Sequence, residues 1–119
     1  MSDGRIDLRS VDGVTIVTLD RPAKRHAMTA DLCEELRRAW ESFRDGSDRA
    51  AVLTATGDFF CAGADLQQPP ARFWRALPDV GLEIGKPVVA AVNGPAIGLG
   101  IGLVAFADLA VAARHARFI

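Results

Sequence analysis

Two small-residue stretches hold the groups best placed to do chemistry. One is Gly57–Leu66, G-D-F-F-C-A-G-A-D-L; the other is Lys86–Asp108, K-P-V-V-A-A-V-N-G-P-A-I-G-L-G-I-G-L-V-A-F-A-D. Neither sets a nucleophile beside a base. No Ser or Cys stands at a nucleophile elbow near the lone His115, so a hydrolytic triad has no support. What both stretches offer is backbone. In the second, Val88–Val92 reads as a buried strand and Asn93-Gly94-Pro95 as a turn. Gly98, Gly100 and Gly102 then open a helix with little side-chain bulk. The first N–H groups of a helix lack intrahelical partners and favour negative charge, so this start could hold a phosphate or a developing oxyanion.

Three readings of those glycines compete. A dinucleotide fingerprint needs G-x-G-x-x-G directly after a strand. Here the spacing is G-x-G-x-G, displaced by Pro95–Ile97, with no acidic residue some 20 positions on. The glycines could simply allow close helix packing. An oxyanion-binding helix start needs a second donor, and Gly57–Leu66 can supply one. It follows another apolar run, Ala50–Ala55. Gly63 permits a backbone angle that other residues resist, which can aim the Ala64 N–H into a cavity. Asp65 is then either a helix N-cap or a site carboxylate.

Together the two stretches resemble the enoyl-CoA hydratase/isomerase (crotonase) family, in the family's order. A third segment, Asp20–Met28, D-R-P-A-K-R-H-A-M, is similar to the family's R-P-x-x-x-N-A-L/M. The resemblance covers almost the whole chain but only about the first half of a usual member. It implies an α/β fold of crotonase-like (ClpP-type) ββα spiral type. Residues 1–119 would form a single truncated domain, the N-terminal portion with the C-terminal part absent. That expectation leaves two options, a fragment or a short product that needs a partner. By the same resemblance the backbone N–H groups of Ala64 and Leu99 meet the thioester oxygen of an acyl-CoA and stabilise its enolate. Ala23, Lys24, Arg25, Ala27, Ala62, Asp65 and Leu66 lie against the substrate or its CoA part. Phe73 or Trp74 shapes the acyl pocket, or merely packs. Coenzyme A enters as part of the substrate, with no other cofactor and no metal. The full-length form is expected to be a homo-oligomer, a trimer or dimer of trimers.

The resemblance also exposes a gap. The position of the family's first acid/base glutamate is Gly102, and the second falls beyond Ile119. Simple two-glutamate hydration is therefore disfavoured against isomerase-like or other family chemistry. The alternative is a catalytically inactive acyl-CoA-binding or subunit-interaction protein. His26 replaces the family's usual Asn; since His can also donate and accept, the loop is expected to persist.

The positioning elements read as follows. Ile6–Asp20 is an antiparallel hairpin turning at Asp12-Gly13, ended by Arg21-Pro22. Lys24, Arg25 and His26 make a basic loop, either solvated or facing phosphate. Thr29 caps a helix whose core face is Leu32, Leu36, Trp40 and Phe43, with Glu34, Glu35, Arg37, Arg38 and Glu41 as its solvated face and Gly46 at its end. Phe59 and Phe60 plug the core. Glu83 belongs to a helix surface, and Asp108–Ala113 is a last buried strand.

Composition narrows the rest. The 119 residues carry 14 basic and 15 acidic side chains, a formal charge of −1, which predicts neither a nucleic-acid patch nor an acidic tail. Cys33 and Cys61 have no metal-ligand spacing and read as reduced thiols of a cytoplasmic protein. The N-terminus has no signal-peptide core, and no apolar run reaches the ~18 residues of a membrane helix.

Overall fold

The computed structural model describes residues 3–119. Alternation at Asp12-Gly13 does what the turn signal predicts. Both residues take positive φ (50° and 82°), and β1 (Arg5–Val11) returns as β2 (Val14–Asp20) in full antiparallel register, Arg5 opposite Asp20. Three further strands add in parallel: β3 (Ala50–Ala55), β4 (Val88–Val92) and β5 (Leu109–Ala112). The sheet order is the chain order. Val17, Leu53 and Ala90 are successive partners across it and are fully buried.

The helix α1 (Ala30–Asp45) crosses from β2 to β3. The Leu32 N–H donates to the Thr29 hydroxyl at 3.2 Å, the expected cap. Leu32, Leu36, Trp40 and Phe43 are all buried, and the Trp40 indole N–H donates to Ala76 O at 2.8 Å. Lys86 finishes the helix: its ammonium donates to the carbonyls of Phe43, Gly46 and Asp48 at 2.7, 2.9 and 2.8 Å. A second, short helix, α2 (Leu99–Ala105), leads from β4 to β5.

Isolated bridges form a smaller ladder beside the sheet. Met28 pairs with Ala64, Cys61 with Ala96, and Ala96 with Phe118. Each parallel strand is thus followed by a short bridged segment, and that repeat is what sets the site loops side by side.

Four expectations need correction. No helix follows Asp65, since Pro69-Pro70 interrupts the segment where its second turn would form. Glu83 is exposed on irregular backbone for the same want of a helix. Arg37 is not on a solvated face: it is 6% exposed and donates to Val80 O and Gly81 O at 2.9 and 2.7 Å. The strand expected at Asp108–Ala113 forms, but β5 is exposed along its length, because among the described residues it packs chiefly against β4 and no helix covers its faces. The apolar runs of β3 and β4 are likewise buried on one face and half-buried on the other.

Candidate functional site

Arg21 begins the first site loop. Pro22–Lys24 make one 3₁₀ turn, then Arg25 and His26 take left-handed φ of 50° and 62°. Non-glycine residues hold such angles only when the surroundings fix them. The fixing group is the His26 side chain, which is 2% exposed. Its Nδ1 accepts the Arg21 N–H at 2.9 Å, and its Nε2–H donates to Thr56 O at 2.8 Å. Both partners have one role only, so they set the tautomer. The loop persists, as expected for a residue that can donate and accept. His26→Ala strands the buried Arg21 N–H, at about 1–3 kcal/mol, and the half-buried Thr56 carbonyl, at less. It is expected to lower the denaturation midpoint and weaken free CoA binding, while His26→Asn loses less of both; urea melts and calorimetric titration check this.

Ala23, Lys24 and Arg25 come together with Ala62 around a hollow of about 520 Å³. The Ala62 N–H donates to Arg25 O at 3.0 Å, and the Arg25 guanidinium lies 5.8 Å from the Phe59 ring centre. Phe60 is the full core plug; Phe59 is only half-buried, lying under that guanidinium. Three other expected contact residues are elsewhere. The Ala27 carbonyl accepts from Arg21 Nη1 at 2.9 Å, and Ala27 does not line the hollow. Asp65 is 7% exposed, paired with Arg21 at 2.7 Å. Leu66 is 95% exposed and lines neither hollow nor recess.

The second loop carries Ala64. Met28 N donates to Gly63 O at 2.8 Å, and Met28 O accepts from Asp65 N at 2.9 Å. In a parallel bridge the residue between those two groups turns its own N–H to the other side. Ala64 spends its N–H on no partner among the described residues, and neither does Leu99. Both residues line one apolar recess of about 400 Å³ with Phe73, Leu77, Gly98, Gly102 and Phe106. Of the two aromatics expected near an acyl pocket, Phe73 lines it; Trp74 packs instead beside Gly81 and Arg75. α2 has only seven residues, so a single N–H rather than a long helix dipole is what its start offers.

Glycine is required where the two loops meet. A Cβ on Gly63, whose φ is 100°, would lie 2.8 Å from Ile97 O and 3.6 Å from Leu99 N. One on Gly100 would lie 2.5 Å from Cys61 O. Ala64 and Leu99 each stand three residues beyond one member of the Cys61–Ala96 bridge. Among the described residues no titratable side chain lines the recess, and at Gly102 a Cβ would meet Leu77 Cδ2 at 3.2 Å and Leu99 Cδ1 at 3.9 Å.

Arg21 was legible as the end of a hairpin and the opening of the R-P segment, with no role for its side chain, yet it joins the two loops. The other missed residue is Asn93, whose Nδ2 donates to Gly57 O and Phe59 O at 2.8 and 3.1 Å and anchors the Ala64 loop to the end of β4. Opposite charges at Arg21 and Asp65, one at the foot of each loop, were the only sequence signal for the pair.

The Arg21 guanidinium and the amides of Gln68 and Gln67 hold the Asp65 carboxyl below its ordinary 3.8. The unfolded chain therefore takes up this proton first. The contribution to stability is complete above about pH 4 and drains away as pH falls through the depressed folded value. Asp65→Asn is expected to flatten that acid limb in urea melts taken between pH 5 and 2.

A sheet of this order, feeding small-residue loops into a shared recess lined by Ala64 and Leu99, is that of the crotonase fold. The chain belongs to the enoyl-CoA hydratase/isomerase family, whose model matches residues 9–119. It is 42% identical over 120 residues to the probable enoyl-CoA hydratase echA6 of Mycobacterium bovis, covering 95% of this chain and 49% of that protein. It is 35% identical over 133 residues to 4-chlorobenzoyl coenzyme A dehalogenase-2 of an Arthrobacter species, covering 99% and 48%. Among solved structures, an enoyl-CoA hydratase/isomerase from Mycobacterium paratuberculosis superposes with a TM-score of 0.85 at 29% identity, over 99% of this chain and 49% of that one. A carnitinyl-CoA dehydratase from Mycobacterium avium gives 0.83 at 34%, over 95% and 48%. The chain spans about half the length of the curated relatives it matches. Among the described residues, no helix is long and apolar enough to cross a membrane.

Proposed function

We propose that this chain binds an acyl-CoA thioester and stabilises its enolate between the N–H groups of Ala64 and Leu99. The carrying observation is that these two residues, each with an unspent N–H, line one apolar recess. As negative charge grows on the thioester oxygen, two fixed donors lower its energy without reorganising. The acyl group lies in the recess against Phe73 and Phe106, and the CoA part passes the hollow edged by Ala23, Lys24, Arg25 and Ala62. There the exposed cations Lys24 and Arg25 meet phosphate. Each of the named relatives is named for a coenzyme A compound, which supports the substrate class. Assembly as a homo-oligomer in the cytoplasm is part of the same proposal.

One observation favours a second reading. The recess wall has glycine, at position 102, where the resemblance puts the first acid, so these residues bind an acyl-CoA without supplying the proton transfer. Adding the protein to crotonyl-CoA and following the enoyl absorbance separates the two. Loss of absorbance supports catalysis; calorimetric binding without it supports the binding-only reading. No binding of any acyl-CoA overturns both.

A further inference from the structure

We propose that Arg21 and Asp65 are positioning residues that fix the direction of the Ala64 N–H and tie it to the loop at the CoA hollow. This rests on the reading of the site just given. Arg21 is 4% exposed, and its Nη1 donates both to Ala27 O at 2.9 Å and to Asp65 Oδ2 at 2.7 Å. Those acceptors stand on the two sides of the Met28–Ala64 bridge, so one nitrogen acts as an extra rung beside it. The other side of the guanidinium is held by Asp3, which accepts from Nε at 2.6 Å.

A trans peptide points its C=O and N–H in opposite directions. Gly63 O is bonded to Met28 N, so the N–H of the same peptide, that of Ala64, points directly away from Met28. Its aim is therefore as steady as the separation of the two bridged segments. Arg21 sets that separation from Ala27 and Asp65 together. Asp65 is gripped again through Oδ1, which accepts from the N–H groups of Gln67 and Gln68, both at 2.8 Å. The backbone of Arg21 also founds the CoA-side loop. Its carbonyl accepts from Lys24 N and His26 N at 3.1 and 2.9 Å, and its N–H donates to His26. One residue thus carries the base of one subsite and the alignment of the other.

The test uses butanoyl-CoA labelled with ¹³C at the thioester carbonyl. Hydrogen bonds to that oxygen lower its infrared stretch, so the band reports donor alignment directly. Asp65→Asn keeps an oxygen for the Gln67 and Gln68 amides but removes the charge facing Arg21. The expected result is a folded variant whose bound carbonyl band moves back toward the free position. Its thioester affinity falls by up to about tenfold, while free CoA affinity stays close to wild type. A folded variant with the wild-type band overturns the positioning role. Wild-type protein that binds no thioester overturns the functional reading instead. If Asp65→Asn does not fold, Arg21→Lys carries the same test. It retains the charge without the planar guanidinium and is expected to shift the band the same way; a wild-type band there overturns the proposal.

Discussion

Ala64→Pro is expected to lower thioester turnover by about 10²–10³-fold, or to remove the carbonyl band shift where turnover is absent, with the fold intact. Proline deletes one atom that matters here, the amide hydrogen. At most bridged positions that deletion would also break the ladder. At Ala64 it does not, because the bridge to Met28 uses Gly63 O and Asp65 N. The preceding residue is glycine, which tolerates the restriction that proline imposes on its neighbour. Ala64 itself is exposed, so the ring displaces no core atom. Circular dichroism and a urea melt establish folding. Free CoA binding is expected to survive, since the hollow at Ala23, Lys24 and Arg25 is untouched. Wild-type turnover or an unchanged band in the folded variant would remove Ala64 from the donor role.

Gly63→Ala is expected to damage both donors at once and to cost several kcal/mol, on the order of the largest single-substitution effects. The added methyl meets Ile97 O at 2.8 Å, a backbone atom that cannot rotate away, and φ of 100° strains any L-residue. Relief requires the Gly63 loop and the Ile97–Leu99 segment to separate. Unlike the proline variant, this one is expected to lose stability and thioester binding together. A midpoint within error of wild type in urea would contradict the close approach of the two loops.

Much of this architecture was legible because it is local or periodic. The four-residue spacing of Leu32, Leu36 and Trp40, the Thr29 cap and the Asp12-Gly13 turn depend on neighbours within one element, and each formed as read. The site was legible as backbone: small residues around Ala64 and Leu99 announced a place without side-chain bulk. What escaped was long-range. Arg21 meets Asp65 44 residues away, Arg37 meets Val80 at 43, and Lys86 closes α1 from 43. Charge at an isolated position carries no sign of whether it faces water or a buried carbonyl. The exposure of β5 was illegible for a related reason. Its composition resembles that of β4, and what distinguishes them is the packing of the core against one face of β4, which β5 lacks among the described residues.

Ala64 and Leu99 stand at equal offsets from the Cys61–Ala96 bridge, where their two segments run side by side. Neighbouring parallel segments lie about 4.8 Å apart. An oxygen accepting two N–H bonds of about 2.9 Å at an ordinary angle wants its donors about 5 Å apart. The gauge that would select a single carbonyl oxygen is therefore the backbone approach of the two segments, which the bare glycines at 63 and 100 permit. Variation in residues 66–85 can reshape what enters the recess while the spacing that grips it stays constant.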